Sequence, residues 1–176
     1  MLTNLKRIAI LGLAGILVAF TTLSTVGCNG ADTATRAQNA VTAALNIAAA
    51  EVSVVPAADQ AAYKSFVALG QSLNAQLGTC IAGVSGITGK AGKFLSCFNT
   101  FANGLLAPAE LAQLRLLNPS TQAKVQLYVT AIVVGVNIAV AAFGGSVVAT
   151  PSVGPAPASS ELEPVLDSMH RAAYGY

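Results

Sequence analysis

Side chains capable of chemistry are scarce in this chain, and those that could cooperate lie near its C-terminus. The only histidine is His170, and the nearest residues that could complete a serine-type triad are Ser168 and Asp167. On a helix these three side chains splay apart, whereas a triad must converge. The neighbouring carboxylates Glu161 and Glu163 fit a solvated helix surface better than an acid–base pair. One histidine also falls short of the four nitrogen or sulfur ligands of a structural zinc site. We expect no catalytic residues, no metal and no cofactor.

The glycine-rich sequence GVSGITGKAGK, at residues 83–93, invites comparison with a phosphate-binding loop. The Walker pattern requires a glycine five residues before its Gly-Lys pair and a hydroxyl residue directly after the lysine. Relative to Gly89-Lys90, these positions hold Val84 and Ala91. The segment is therefore predicted to be a flexible loop between two helices.

The first 28 residues have the three-part order of a secretory signal peptide. Lys6 and Arg7 precede an uncharged apolar run at residues 8–20, and small polar residues then lead to Cys28. This order is typical of an exported chain. The apolar run is shorter than the roughly 20 residues of a membrane-spanning helix. Counting on to Val26 brings it near that length, so an uncleaved anchor is an alternative interpretation.

The sequence Thr25-Val26-Gly27-Cys28 resembles the lipobox of bacterial lipoproteins, although Thr25 stands where leucine is usual. The resemblance implies that residues 1–27 are removed and that Cys28 receives a diacylglyceryl group. It also implies a location in the cell envelope, anchored on the periplasmic or extracellular side of a membrane. An ordinary cleavage site ahead of Cys28, followed by plain secretion, is the alternative.

Export would place the remaining cysteines, Cys80 and Cys97, in an oxidising compartment. Two thiols on neighbouring helices are expected to form a disulfide there. The bridge would close a loop of about 18 residues and contribute about 3 kcal/mol to stability. Two buried free thiols are the alternative.

Periodic apolar residues predict an all-α fold, a small alanine-rich helical bundle of three long helices and two short ones. The long helices are expected at residues 32–55, 56–84 and 120–143, and the short ones at 93–103 and 108–117. Phe94, Phe98 and Phe101 are expected to fill the core, since that is the usual role of such residues. An aromatic ligand pocket is the alternative for this group.

The third long helix and the residues after it form an apolar stretch at 125–149 that contains no charge. A helix that is apolar all round is either central in a bundle or in a membrane. The stretch is long enough to span a bilayer. Gln126 and Asn137 favour the bundle, because an amide in lipid would need a partner. An integral membrane or pore-associated protein that uses residues 125–149 stays as the second hypothesis.

The C-terminal residues are predicted to form a Pro/Ala/Ser linker and a short amphipathic helix. Ser160 and Glu163 have the spacing of a capping box, and Leu162, Val165 and Met169 fall on one side of the helix. This tail either folds back on the bundle, docks a protein partner or stays loose. The expected domains are a signal peptide at 1–27, a helical bundle at 28–148, and the linker with its helix at 149–176.

Charged residues form only 9% of the chain, and its net charge of +2 arises from Lys6 and Arg7. The chain after the signal peptide is therefore near neutral and has no basic patch, so nucleic acid is not an expected partner. The sequence predicts an exported, lipid-anchored envelope protein with a non-catalytic structural or interaction role. Its expected partners are the membrane, through the anchor, and a protein at the C-terminal tail.

Overall fold

A computed structural model describes residues 30–84 and 90–175. Within these ranges it contains six α-helices and no strand, so the all-α prediction is confirmed. The helices are α1 (Gly30–Ala50), α2 (Gln60–Val84), α3 (Ala91–Leu105), α4 (Pro108–Leu114), α5 (Pro119–Ala142) and α6 (Ser159–Tyr174), and a 3-10 helix, Glu51–Val54, follows α1. The predicted signal peptide, Cys28 and most of the glycine-rich loop lie outside the described residues.

Helix α1 is at the centre of the packing, since it contacts α2, α5 and α6. Its buried stripe consists mostly of alanine and includes Ala34, Ala44 and Ala48, each of which is fully buried. Val41 and Leu45 are the larger members of the stripe. Small side chains repeating every three or four residues let three neighbouring helices approach one helix closely. The alanine pattern of the sequence thus positions the whole bundle.

Two predicted helix boundaries differ from the structure. The first helix gives way to the 3-10 helix after Ala50, and the second begins at Gln60 instead of Pro56. Residues 56–59 form a turn in which the backbone N–H of Asp59 donates to the carbonyl of Pro56 at 2.8 Å. In this turn, the carboxylate of Asp59 points to the start of α5, where it accepts hydrogen bonds from Asn118 and Thr121.

Two glycines mark close contacts between helices. The short helix predicted at 93–103 spans Ala91–Leu105, so that Gly104 lies inside α3. A Cβ at Gly104 would lie 2.9 Å from Cδ2 of Leu73 on α2. Gly104 is therefore a point of close approach between α2 and α3. Gly70 of α2 is buried, and a Cβ there would meet Leu45 of α1.

Helix α5 packs against α1, α3 and α6 and has buried residues on several sides. Val125, Val129 and Ile132 have no exposed surface. By length and composition, it is the one helix within residues 30–84 and 90–175 that could cross a membrane. In the bundle, 61% of its most apolar stretch is buried inside the protein.

The chain after α5 turns at Gly144, whose φ of 75° is in the left-handed region that favours glycine. It then runs back along α5. The side chain of Asn137 donates from Nδ2 to the carbonyl of Val148 at 2.9 Å, and its Oδ1 accepts from the N–H of the same residue at 2.6 Å. One asparagine thus satisfies both backbone groups of Val148.

Gln126 holds the returning chain in the same way, three helical turns earlier on the same face of α5. Its Oε1 accepts from the N–H groups of Val153 at 2.6 Å and Gly154 at 3.2 Å. Its Nε2 donates to the carbonyl of Pro151 at 3.1 Å. Val153 is only 3% exposed. The predicted linker is therefore a layer packed on α5, and its Val153 is part of the core.

Helix α6 folds back on the bundle and packs against α1 and α5. It runs in the same direction as α5, because Gly154 lies beside Gln122 and Met169 lies beside Gly135. Val165 and Met169 are buried, as their positions on the amphipathic helix predict. The helix starts earlier than predicted: the carboxylate of Glu161 accepts the N–H of Ala158 at 3.1 Å.

We predict that Gln126→Ala lowers the free energy of unfolding by about 2–3 kcal/mol. The substitution leaves the buried N–H of Val153 and the carbonyl of Pro151 without their partner, and each unsatisfied buried group costs about 1–3 kcal/mol. Urea unfolding followed by circular dichroism measures the change. The matched control is Gln71→Ala on the exposed side of α2, which should change stability by no more than about 0.5 kcal/mol. Equal effects of the two substitutions would show that the returning chain does not depend on Gln126.

Candidate functional site

Cys80, near the end of α2, and Cys97, in α3, form a disulfide across 17 residues of sequence, as predicted. Their Cα atoms are 5.9 Å apart, and Cys97 is buried while Cys80 lies at the surface. The bridge joins the two helices on either side of the glycine-rich loop. These cysteines are therefore a covalent cross-link in the structure.

The phenylalanines of α3 are part of the core. Phe94, Phe98 and Phe101 are at most 2% exposed. The ring of Phe94 stacks on that of Phe143, with centroids 5.2 Å apart, and Phe98 lies 6.5 Å from the same ring. These rings fill the space between α3 and the end of α5, so they form core packing and leave no aromatic ligand pocket at this position.

The three residues of the hypothetical triad do not converge. Ser168 Oγ donates to the carbonyl of Pro164 at 3.0 Å, one turn back on its own helix. Asp167 pairs with Arg171. The ring of His170 lies against that of Tyr174, with centroids 4.6 Å apart. Each side chain has its own partner around α6, so the arrangement offers no nucleophile–base pair.

Asp59, in the turn before α2, is a buried carboxylate that is 6% exposed. Its Oδ2 accepts from Thr121 Oγ1 at 2.6 Å and from Asn118 through both Nδ2, at 2.9 Å, and the backbone N–H, at 3.1 Å. The hydrogen bond from Thr121, together with those from Asn118, holds the pKa of Asp59 below its ordinary value, although burial opposes them. All three donors belong to the start of α5, where a negative charge also suits the helix dipole. Asp59 therefore joins the turn before α2 to α5.

Two tyrosines are buried on the same side of the bundle. Tyr63 Oη donates to the carbonyl of Ala48 at 3.1 Å. Burial, followed by the nearby charge of Glu51, raises the pKa of both Tyr63 and Tyr128 far above the usual range. Glu51 itself pairs with Lys124 at 2.8 Å. Because both phenols stay protonated, they serve as hydrogen-bond donors and core residues and do not act as bases.

Within residues 30–84 and 90–175, no group of three or more His, Cys, Asp or Glu side chains is placed to hold a metal ion. A shallow, half-open pocket in this part of the chain lies instead between α1, α5 and α6. Its walls are almost entirely apolar. They are formed by Thr33, Arg36, Ala37, Ala40, Val134, Gly135, Ile138, Leu166, Met169, His170, Ala173 and Tyr174.

One cation lies at this pocket. The guanidinium of Arg36 is 5.0 Å from the centre of the Tyr174 ring, a cation–π contact. Neither of the ion pairs between described residues includes Arg36. The pocket thus combines apolar walls with a positive charge that forms no ion pair with the carboxylates of the described residues.

The predicted site residues fall into three places. Cys80 and Cys97 meet in the disulfide, Cys28 lies outside the described residues, and His170 lines the pocket without triad partners. Sequence reasoning missed the pocket itself, since Arg36 and Tyr174 are brought together by the packing of α6 on α1. The sign of the pocket in the sequence is the set of small lining residues Ala37, Ala40 and Gly135, whose short side chains leave space between the helices.

Searches against protein-family models, curated proteins and solved structures found no match to this chain.

We predict that Cys80→Ala/Cys97→Ala lowers the free energy of unfolding by about 3 kcal/mol, because the unfolded chain regains the freedom that the closed loop removes. A reducing agent should destabilise the wild-type protein by a similar amount and leave the double variant unchanged, as urea unfolding will measure. Mass spectrometry of unreduced peptides should recover residues 80 and 97 in one linked species. Two thiols that are freely alkylated in the unreduced protein would contradict the prediction.

We predict that Asp59 contributes to the pH dependence of stability. Because its pKa is lowered by folding, its contribution is complete above the ordinary value of 3.8 and is lost as the pH falls through the lower folded value. Asp59→Asn should therefore destabilise the protein at neutral pH and weaken the loss of stability on acidification below about pH 4. Thermal unfolding at a series of pH values measures both effects.

The control for this prediction is Asp32→Asn, which changes an exposed carboxylate in the first turn of α1. It should alter stability at neutral pH by no more than about 0.5 kcal/mol. An acid transition that is equally steep in Asp59→Asn and in the wild-type protein would refute the role given to Asp59.

Proposed function

We propose that this protein is an exported, lipid-anchored envelope protein and acts as a non-catalytic structural or interaction module. The observation that carries the proposal is the position of the three cysteines. Cys80 and Cys97 bond to each other, which leaves Cys28, at the end of the lipobox-like sequence, for the anchor. Cys28 precedes the first residue of α1 by two positions, so an anchored bundle would sit directly at the membrane surface.

The pocket between α1, α5 and α6 is the proposed interaction site of this module. Five of its lining residues belong to α6, the helix for which the sequence suggested a partner-docking role. The buried residues of α6, Val165 and Met169, already pack inside the bundle. A partner would therefore use the pocket and its rim, where Arg36 and Tyr174 are partly exposed, and leave the packed side of α6 in place.

The second hypothesis places residues 125–149 in a membrane, and α5 has the length and composition for it. Two contacts support the bundle instead. Gln126 and Asn137 are hydrogen-bonded to the backbone of residues 148–154. Entry of α5 into lipid would separate these groups or bury the returning chain with them. An unpaired backbone group in hydrocarbon costs several kcal/mol, which favours α5 as the central helix of a water-exposed bundle.

We predict that Cys28→Ala abolishes acylation and releases the protein from the membrane fraction. In the wild-type protein, acyl chains contribute about 0.8 kcal/mol per buried methylene, so attachment should resist salt and alkaline carbonate and yield to detergent. Intact-mass spectrometry and fractionation measure acylation and attachment separately. The matched control is Cys80→Ala/Cys97→Ala, which also removes cysteines but should stay acylated and membrane-bound.

The alternatives give different results in the same experiment. A Cys28→Ala protein that stays in the membrane after carbonate treatment supports the integral hypothesis or an uncleaved leader. A wild-type protein that is soluble and carries no lipid supports plain secretion. Either result rejects the lipid anchor.

A further inference from the structure

One end of the bundle is marked by the start of α1. A Cβ at Gly30 would lie 3.5 Å from the rings of both Phe94 and Phe143. The start of α1, the first turn of α3 and the end of α5 therefore meet at this end, which we call the N-terminal end. Lys90 and Lys93 belong to it, because the carbonyl of Lys90 accepts the N–H of Phe94 at 3.0 Å. Cys28 precedes Gly30 by two positions in the sequence, and two residues span at most about 7 Å, so an anchor on Cys28 would hold this end near the membrane.

The N-terminal half of the bundle carries an excess of positive charge. Among the described residues, it contains four cationic side chains and two carboxylates, a net side-chain charge of +2, namely Arg36, Lys90, Lys93, Arg171, Asp32 and Asp167. Arg171 and Asp167 neutralise each other as an ion pair. Arg36 belongs to this half through its contact with Tyr174 at the end of α6. Lys93 is exposed, and Lys90 is partly exposed.

The opposite half carries the reverse excess. It contains three cations, Lys64, Arg115 and Lys124, against five carboxylates, so its net charge is −2. Glu51 and Asp59 lie at its end, bound to the first residues of α5. Glu110 follows α3, and Glu161 and Glu163 lie in the first turns of α6. The described residues are neutral in total, but their charges are separated along a bundle about 35 Å long, the length of α5.

An exposed apolar side chain adds to the N-terminal end. Val147 is 72% exposed. It is held at this end because the next residue, Val148, is bonded on both sides to Asn137 near the end of α5. The N-terminal end thus presents two lysines and an exposed valine around the point where the chain leads to Cys28.

We propose that the N-terminal end of the bundle docks on anionic lipid headgroups of the membrane that holds the anchor. The inference rests on the proposed lipid anchor and adds the orientation of the bundle on the membrane. Lysines near a surface of anionic lipids are attracted to it, and the attraction fades within a Debye length. The short tether keeps Lys90 and Lys93 within that distance. The negative half points away from the same surface, so that attraction and repulsion select one orientation.

Tryptophan fluorescence tests the orientation, because the chain contains no tryptophan of its own. Val147→Trp places a single fluorophore at the N-terminal end, and Val54→Trp is the matched control at the opposite end, where the valine is 64% exposed. Each full-length protein is attached to vesicles of brominated phosphatidylcholine, with or without about one third phosphatidylglycerol. Circular dichroism verifies that both variants are folded, and flotation measures the attached fraction.

In vesicles with phosphatidylglycerol, we expect quenching at least about threefold stronger in Val147→Trp than in Val54→Trp, and a smaller difference at about 1 M salt. Adding Lys90→Gln/Lys93→Gln to Val147→Trp should lower the ratio of docked to undocked protein by about fivefold per lysine, the factor that corresponds to about 1 kcal/mol. Lys64→Gln, in the opposite half, should leave the ratio unchanged.

The outcomes separate this proposal from the lipid anchor. Two results for vesicle-attached protein would overturn the docking and still be compatible with the anchor. One is equal quenching at the two positions, and the other is quenching that depends neither on phosphatidylglycerol nor on the two lysines. Protein that stays attached in Cys28→Ala rejects the acyl anchor, while the quenching ratio still decides the docking. Protein that does not float with either vesicle overturns both.

Discussion

The fold depends on covering α5, a helix that is apolar on nearly every side but carries two amides. Side chains such as Val125, Val129 and Ile132 each gain about 1.5–3 kcal/mol when buried, which draws other helices around α5. The same burial would cost a few kcal/mol for each amide left without a partner. The chain resolves this conflict with the returning residues 148–154, whose backbone groups bond to Gln126 and Asn137. The rest of the bundle closes around that pairing.

The covering of α5 also explains why the bundle needs small residues. Helix α1 contacts α2, α5 and α6, and its buried face is mostly alanine. Gly70 and Gly104 allow close contacts of α2 with α1 and α3 at positions where a Cβ would meet leucine side chains. The disulfide then fixes α3 to α2 on the far side. Close packing of a core with few large side chains therefore requires a precise succession of small residues.

The charges on the surface of the bundle are unevenly distributed, which the composition of the chain does not reveal. A chain with few charges, neutral over its described residues, still separates those charges between two ends. Its polar interior is used for structure: Asp59 ties the turn before α2 to α5, and Tyr63 and Tyr128 remain protonated donors. The features left for recognition are the apolar pocket beside Arg36 and the lysines near Gly30. Both suit contacts with a partner or a surface, and neither brings together a nucleophile and a base.

The sequence alone determined the helices, because apolar and small residues repeat at helical spacing and prolines and glycines mark most of the breaks. It also predicted the Cys80–Cys97 pairing, since two cysteines flank one interhelical loop, but the alternative of two free thiols was decided only by the structure. It singled out Gln126 and Asn137 as amides that favour a bundle over a membrane, but could not name their partners, which lie in a segment that has no pattern of its own. Only the tertiary structure brought Arg36 to Tyr174 and Asp59 to Thr121. It also brought Lys90 and Lys93 to the start of α1. Contacts between residues far apart in the chain are set by how helices stack, and stacking depends on shapes summed over the whole core.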